Sequence, residues 1–183
     1  MPLVSVDVQA IPIVHTKDVS MLISDESGVT RYHLEAEIWD IYSNEGDEYW
    51  YFPKKIHVEQ LDSLRHVEGS IVADTAYFFV KKELWRAIGN VVVKNIGGRV
   101  FETSELFWNQ KVPPNTVNAF YTDSLVKVTE PDSTLVLGYN GFTADQSLNI
   151  IRFRKVKGEF NVEESTDSLQ QNTVRSDSIR RLP

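Results

Sequence analysis

The sequence of 183 residues contains no cysteine, which excludes disulfides, thiolate metal sites and cysteine nucleophiles. It also lacks any apolar run near the ~18–20 residues that a membrane-spanning helix requires. The longest apolar clusters, Ala10–Val14 and Tyr49–Phe52, are far shorter. Positive charge is scarce as well, because 19 Lys and Arg face 26 Asp and Glu for a net charge of −7. Phosphate backbones need clustered cations, so nucleic acid is excluded as a partner.

Motifs for catalysis and metal binding are missing too. The chain has no GxSxG, P-loop, GxGxxG or HExxH, and its four histidines show no ligand spacing, which is typical of surface histidines. Glu35 and Glu37, two residues apart on one predicted strand face, are the only candidate acid pair for a carbohydrate-active enzyme. Exposed carboxylates are common in any protein. The sequence therefore predicts no catalytic residue, no metal and no cofactor.

What the chain does contain is alternation of apolar and polar residues with a period of two. In Arg31–Tyr42, apolar side chains at Tyr32, Leu34, Ala36 and Ile38 alternate with polar ones. Successive strand residues point to opposite faces of a sheet, so this pattern predicts a half-buried strand. Similar runs follow, rich in the β-branched and aromatic residues that strands favour.

Turn residues punctuate these runs at short intervals, which is typical of an all-β sandwich, barrel or roll. The predicted turns are Ser24–Val29, Ser43–Glu48, Asn95–Arg99, Val112–Asn115, Glu130–Ser133 and Gly138–Gly141. A small residue followed by a polar one recurs and predicts the starts of strands in stacked hairpins. These pairs are Ala36–Glu37, Ala73–Asp74, Thr103–Ser104 and Ala144–Asp145.

The segment VKKELWRAIG within Ser70–Asn95 resembles a short helix, but it lacks an N-cap residue and is only about two turns long. A strand, a turn at Lys81–Glu83 and a returning strand explain it better. Gly89 inside the returning strand predicts a bulge.

The composition divides the chain into three parts. Residues 1–18 are predicted to be a lead-in that follows a missing anchor, and residues 19–162 form the β-domain. Residues 163–183 have no aromatic residue and many polar ones, which predicts a disordered tail.

The order of these strands and turns resembles the LptC family, whose members are periplasmic components of lipopolysaccharide export. The resemblance is strongest to the Bacteroides-type forms and covers about 19–160. It depends on the segments LEAEIWDIYSNEGDEYWYFPKKIHVEQLD, VADTAYFFVKKELWRAIGNVVVKN, FETSELFWNQK, FYTDSLVKV and LVLGYNGFTAD. The most specific part is ELW…GNVVVKN…FETSELFW.

The resemblance implies an OstA-like fold: an open, twisted antiparallel β-jellyroll with an apolar groove and no enzymatic activity. Its partners would be lipopolysaccharide, an inner-membrane export ABC transporter and another OstA-like bridge protein. Family members are periplasmic and tethered to the inner membrane by an N-terminal anchor that this chain lacks. The alternative function is a structural or adhesion β-domain with a closed core.

Alternation with a period of two assigns sixteen residues to the inside of such a groove. A bulge at Gly89 would exchange the two faces of the strand, so the assignment of the later residues depends on it. They are Leu34, Ala36, Ile38, Ile56, Val58, Ile71, Tyr77, Phe79, Val91, Val93, Phe101, Phe107, Val126, Val128, Leu135 and Leu137.

Two edge strands, 19–24 and 148–156, are predicted to pair with partner proteins, since an open roll leaves strand edges free. Their predicted contact residues are Val19, Met21, Ile23, Ile150, Arg152 and Arg154, and the arginines could also meet lipid phosphates.

Overall fold

The computed structural model describes residues 11–44 and 47–159, and it confirms the predicted all-β fold. Within this part of the chain, fourteen strands and one 3₁₀ turn, Val80–Lys82, follow one another. The strands are β1 (Val14–Ser24), β2 (Thr30–Asn44), β3 (Asp47–Phe52), β4 (Ile56–Leu61), β5 (Val67–Ala73), β6 (Thr75–Phe79), β7 (Leu84–Asn95), β8 (Val100–Asn109), β9 (Phe120–Thr122), β10 (Val126–Thr129), β11 (Leu135–Gly138), β12 (Phe142–Ala144), β13 (Ile151–Phe153) and β14 (Val156–Glu159).

All strand pairs are antiparallel and belong to one branched sheet. The branching arises because β2, β7 and β8 are long and pair with different neighbours along their lengths. One branch, the first layer, runs β2–β4–β5–β7–β8–β10–β11–β14. The other, the second layer, runs β2–β3–β6–β7–β8–β9–β12–β13.

The two layers face each other across the core. Tyr32 of the first layer contacts Trp108 of the second edge to face, with ring centroids 5.5 Å apart. Phe101 and Phe142 stack across the core, also with ring centroids 5.5 Å apart. Apolar residues of both inner faces are thereby removed from water, as in other layered β-folds.

The recurring small–polar pairs mark the places where strands leave one layer for the other. All four pairs were predicted to open strands, and that prediction is wrong, because no described strand begins at any of them. Ala36–Glu37 lies inside β2, where pairing changes from β4 to β3, and Thr103–Ser104 lies inside β8. Ala73–Asp74 ends β5, while Ala144–Asp145 ends β12. The alanines at these places are buried, because only a small side chain fits where the two layers converge.

The predicted turns lie between strands as expected, and those at one end of the roll share one chemistry. Asp25 accepts hydrogen bonds from the backbone N–H of Ser27 and Val29. Asp62, Asn95 and Asp132 accept comparable backbone bonds in the β4–β5, β7–β8 and β10–β11 turns. Such side chains stabilise turns by replacing missing backbone partners.

The predicted strand–turn–strand arrangement before and after Lys81–Glu83 is confirmed by β6 and β7. The bulge at Gly89 is also confirmed, because the β7–β8 register shifts between Ile88 and Val91. Gly89 has φ +77°, and a Cβ there would lie 2.7 Å from Asp74 Oδ2.

The predicted start of the β-domain at residue 19 is too late. Strand β1 begins at Val14 and pairs with Ile41, so residues 14–18 belong to the sheet rather than to a lead-in. Residues 1–10 and the predicted tail, 163–183, lie outside the described part of the chain.

Candidate functional site

A row of aromatic side chains crosses the inner face of the second layer. Trp50, Phe78, Trp85, Trp108 and Phe120 come from five adjacent strands and occupy one line of cross-strand partners. Neighbouring ring centroids in this inner aromatic row are 4.6 to 6.4 Å apart. Cross-strand aromatic pairs stabilise a sheet and provide a broad apolar surface.

The first layer presents aliphatic residues and one tyrosine to this row. The residues are Ile23, Tyr32, Val58, Ile71 and Val93, all buried or partly buried against the core. Burial raises the pKa of the Tyr32 hydroxyl, since the phenolate would lose hydration.

Empty space remains between the two layers at this end of the roll. A cleft of about 130 Å³ is lined by Tyr32, Ile71, Trp108 and Leu148, among others. Two smaller spaces beside Trp85 have volumes of about 100 and 20 Å³. Sites for drug-sized ligands measure roughly 300–1,000 Å³, so these spaces accept a short apolar segment, and a full acyl chain requires the layers to move apart.

The segment between β12 and β13 forms one wall of the cleft. The side chain of Leu148 is buried, and its carbonyl accepts bonds from Arg99 Nη1 at 3.0 Å and Asn95 Nδ2 at 3.3 Å. Arg99 is itself held by Glu130, with Nε 2.8 Å from Oε1. These polar contacts tie the segment to the β7–β8 turn and narrow the opening of the cleft.

The tryptophan N–H groups differ in their hydrogen bonding. Trp108 Nε1 donates to Gln146 Oε1 at 2.8 Å, and Trp50 Nε1 donates to Glu48 Oε1 at 3.3 Å. Trp85 Nε1 and Trp39 Nε1 are buried and have no partner within the described residues. A buried donor without an acceptor costs about 1–3 kcal/mol.

Ten of the sixteen predicted groove residues do lie on the inner faces. Leu34, Ala36, Ile56, Val58, Ile71, Val91, Val93, Phe101, Val126 and Val128 are buried in or packed against the core. Phe101, Val126 and Val128 belong to the filled end of the roll. The residues of this set that line the open spaces are Ile56, Val58, Ile71 and Val93. Their contact with lipid stays a prediction.

The predicted inward orientation is wrong at Tyr77, Phe79 and Phe107. Their neighbours Ala76, Phe78, Leu106 and Trp108 face the core instead. Tyr77 stacks on Tyr51 and Phe107 on Tyr121, at 4.7 and 5.0 Å, on the outer face of the second layer. Along β8, the inward-facing residues change from odd-numbered at Phe101 to even-numbered at Leu106. In this stretch a bulge adds one residue to the neighbouring strand, β7.

Three more predicted groove residues do not face the core. Leu135 and Leu137 flank Val136, which packs against the core, so they lie on the outer face of β11. Ile38 does not pack against the core, whereas Trp39 does. The inward-facing residues of β2 change from even-numbered at Ala36 to odd-numbered at Trp39, where the strand passes from one layer to the other. A prediction from simple alternation is therefore wrong beyond this point.

The predicted edges are sheet edges, with shifted bounds. Within the described residues, β1 pairs on one side only, and so do β13 and β14. Val19, Met21 and Ile23 of β1 pack against the core. Arg152 is exposed in β13, while Ile150 and Arg154 lie just outside that strand. Arg154 pairs with Asp123 at 2.5 Å, so it is not a free cation.

The outer, polar face of β2 and β4 carries a two-by-two array of His33, Glu35, His57 and Glu59. Each histidine lies 3.3–3.8 Å from both carboxylates. Glu35 is thus engaged with histidines, and Glu37 is exposed near a bend. In the described chain, no group of three or more His, Cys, Asp or Glu side chains is arranged to hold a metal.

The inner aromatic row was missed by the sequence prediction, although a signal for it exists. Val91 and Val93 were correctly assigned inward, and the same parity continued through Gly89 reaches Ala87 and Trp85. Cross-strand pairing then places Trp108 beside Trp85.

Comparisons of the sequence with models of known protein families and with curated proteins found no match. No helix among the described residues is long and apolar enough to cross a membrane.

Proposed function

We propose that this protein carries lipopolysaccharide as a non-enzymatic component of its export. It takes the lipid from an inner-membrane ABC transporter, holds acyl chains between its two layers and passes them to another bridge jellyroll. The proposal places the protein in the periplasm, tethered to the inner membrane. The observation that carries it is the apolar space between the inner aromatic row and the aliphatic face of Val58 and Ile71.

The energetics favour such a role for an apolar interior. Each methylene that leaves water contributes about 0.8 kcal/mol, so an acyl chain has a strong tendency to enter a space lined by Ile71, Trp85 and Leu106. The cleft at Leu148 adjoins the smallest of these spaces, because Val58, Ile71 and Trp108 line both, and an acyl chain would enter from that side.

The sheet edges support the partner contacts of the proposal. Strands β1, β13 and β14 each leave one side of the backbone free to pair with a strand of another protein within the described part of the fold. Pairing of two rolls along their edge strands would align their interiors, so an acyl chain could pass from one roll to the next without exposure to water.

The test is photo-crosslinking in cells that make lipopolysaccharide. Ile71 and Val72 are adjacent residues on opposite faces of β5: Ile71 packs against the core, and Val72 is exposed. A photoreactive residue at Ile71 should capture lipopolysaccharide, and the same residue at Val72 should not. Equal capture at both positions, or capture at Val72 alone, would contradict the proposal.

The alternative, a structural or adhesion domain, is favoured by the other end of the roll. There Phe101, Val126, Val128 and Phe142 are almost completely buried and fill the space between the layers. If the interior at Trp85 excludes small apolar molecules as well, the closed-core function is the better description.

A further inference from the structure

We propose that the indole N–H of Trp85 binds the carbonyl oxygen of an acyl ester or amide inside the roll. This inference rests on the proposed function and specifies which part of the lipid the interior recognises. Trp85 is 8% exposed, its Nε1 atom is buried, and no described residue accepts a hydrogen bond from it.

The smaller of the two spaces that Trp85 borders offers this donor no acceptor. The smallest space beside it is lined by Ile56, Val58, Ile71, Ala76, Ala87, Leu106 and Trp108. The only other N–H group in that lining, on Trp108, already donates to Gln146. The side chains around this space therefore provide hydrocarbon contacts alone.

Water in this smallest space is a poor partner for the Trp85 N–H. A buried water molecule needs two to four polar partners, and this lining supplies one free donor in a space of about 20 Å³. The acceptor that fits is an oxygen atom attached to an apolar chain, since the chain then fills the rest of the space. A carbonyl at the head of an acyl chain has this chemistry.

The polarity of the interior also gives the ligand a direction. The space on one side of Trp85 is lined by Tyr32 and Gln110 as well as by apolar residues. The smallest space, which Trp85 also borders, has an apolar lining that includes Ile71 and Leu106. The polar part of an acylated lipid would lie towards Tyr32, the carbonyl at Trp85 and the hydrocarbon towards Ile71.

The test uses the four tryptophans as reporters. The ¹⁵N-labelled protein gives indole N–H signals that are assigned with single Trp→Phe variants, and methyl hexanoate and heptane serve as probes. Methyl hexanoate should shift the indole proton of Trp85 downfield, and heptane should not. In Trp85→Phe, the affinity for the ester should fall about tenfold, as the loss of one hydrogen bond implies, while the affinity for heptane should change less than about twofold.

Trp39→Phe is the control, because the N–H of Trp39 is also buried without a described partner but Trp39 lines neither of the spaces beside Trp85. Its loss should leave the preference for the ester unchanged. If both probes bind equally and the Trp85 signal does not move, the inference is wrong and the apolar binding site stands. If neither probe binds, both the inference and the proposed function fail. Should Trp85→Phe not fold, the shift of the Trp85 signal in the wild-type protein decides alone.

Discussion

The guanidinium carbon of Arg86 lies 5.7 Å from the centre of the Phe107 ring, on the outer face of the second layer. Arg86 also pairs with Glu105, with Nη2 2.7 Å from Oε1. The neighbours of Phe107 along β8, Leu106 and Trp108, point the other way into the core. Substitutions at the adjacent residues Leu106 and Phe107 therefore test which face of β8 lines the interior.

We predict that Phe107→Asp keeps the fold and the interior binding site. The new carboxylate can pair with Arg86, so the free energy of unfolding should fall by only about 1 kcal/mol. Leu106→Asp would bury a charge without a partner and should cost more than about 3 kcal/mol. Denaturant unfolding of both variants, with binding of an apolar fluorescent probe, checks this. A loss of probe binding in Phe107→Asp comparable to that in Leu106→Asp would contradict the assigned faces.

Gly89 should tolerate no side chain. Gly89→Ala places a Cβ at φ +77° and 2.7 Å from Asp74 Oδ2, and we expect it to lower the free energy of unfolding by about 2–3 kcal/mol. Gly28→Ala is the control, because φ is +81° and no atom lies within 4 Å of its Cβ position. It should cost only about 1 kcal/mol. Equal losses in the two variants would mean that Asp74 moves aside freely.

Asp145 should make the protein less stable in acid. Burial raises the pKa of its carboxyl group, but hydrogen bonds from Ser147 and from the backbone N–H of Ile150 and Asn149 outweigh burial and lower the pKa overall. The unfolded state therefore binds the proton more readily. The stabilisation is complete above the ordinary carboxyl pKa and is lost as the pH falls through the lowered one.

The comparison of wild type with Asp145→Asn by thermal unfolding between neutral and acidic pH checks this. We expect the variant to be less stable at neutral pH, and the difference to shrink below the ordinary pKa of a carboxyl group. Glu37→Gln, at an exposed position, is the control and should follow the wild type. A difference between wild type and Asp145→Asn that stays constant with pH would exclude this role for Asp145.

Arg99 should control how readily the cleft opens at Leu148. Arg99→Ala removes the donor to the Leu148 carbonyl and the partner of Glu130. We expect amide hydrogen exchange at Asn149 and Ile150 to accelerate about tenfold, which corresponds to the loss of one hydrogen bond.

Lys127→Ala is the matched control for Arg99→Ala. It breaks a similar pair with Glu102, 2.8 Å apart, on the outer face of the first layer. This variant should leave exchange at Asn149 and Ile150 unchanged. Similar acceleration in both variants would indicate general destabilisation rather than opening of the cleft.

The sequence was sufficient to predict the all-β fold, the turns and the hairpin at Lys81–Glu83, because these depend on local chemistry. Alternation placed Leu34, Val58 and Val91 correctly, since each lies within an uninterrupted stretch of one strand. It failed at Ile38 and Phe107, which follow bends where the inner parity changes. A bend is set by which neighbour the strand pairs with, and that is a long-range property.

The open end of the interior could not be predicted from the sequence at all. Trp85 and Phe101 are both aromatic residues on inner faces, yet one borders empty space and the other is enclosed by Phe142 and its neighbours. The difference depends on the separation of the two layers, which no local pattern records.

Strands β2, β7 and β8 run without interruption through both layers. Neither layer can unfold by itself, because these three strands form backbone hydrogen bonds in both layers. The molecule is therefore expected to denature as one cooperative unit. Widening the space between the layers for a large ligand therefore requires bending near Ala36, Asp74 and Ser104, where strands pass from one layer to the other. The flexibility of these three positions would limit the size of the ligand that the protein can hold.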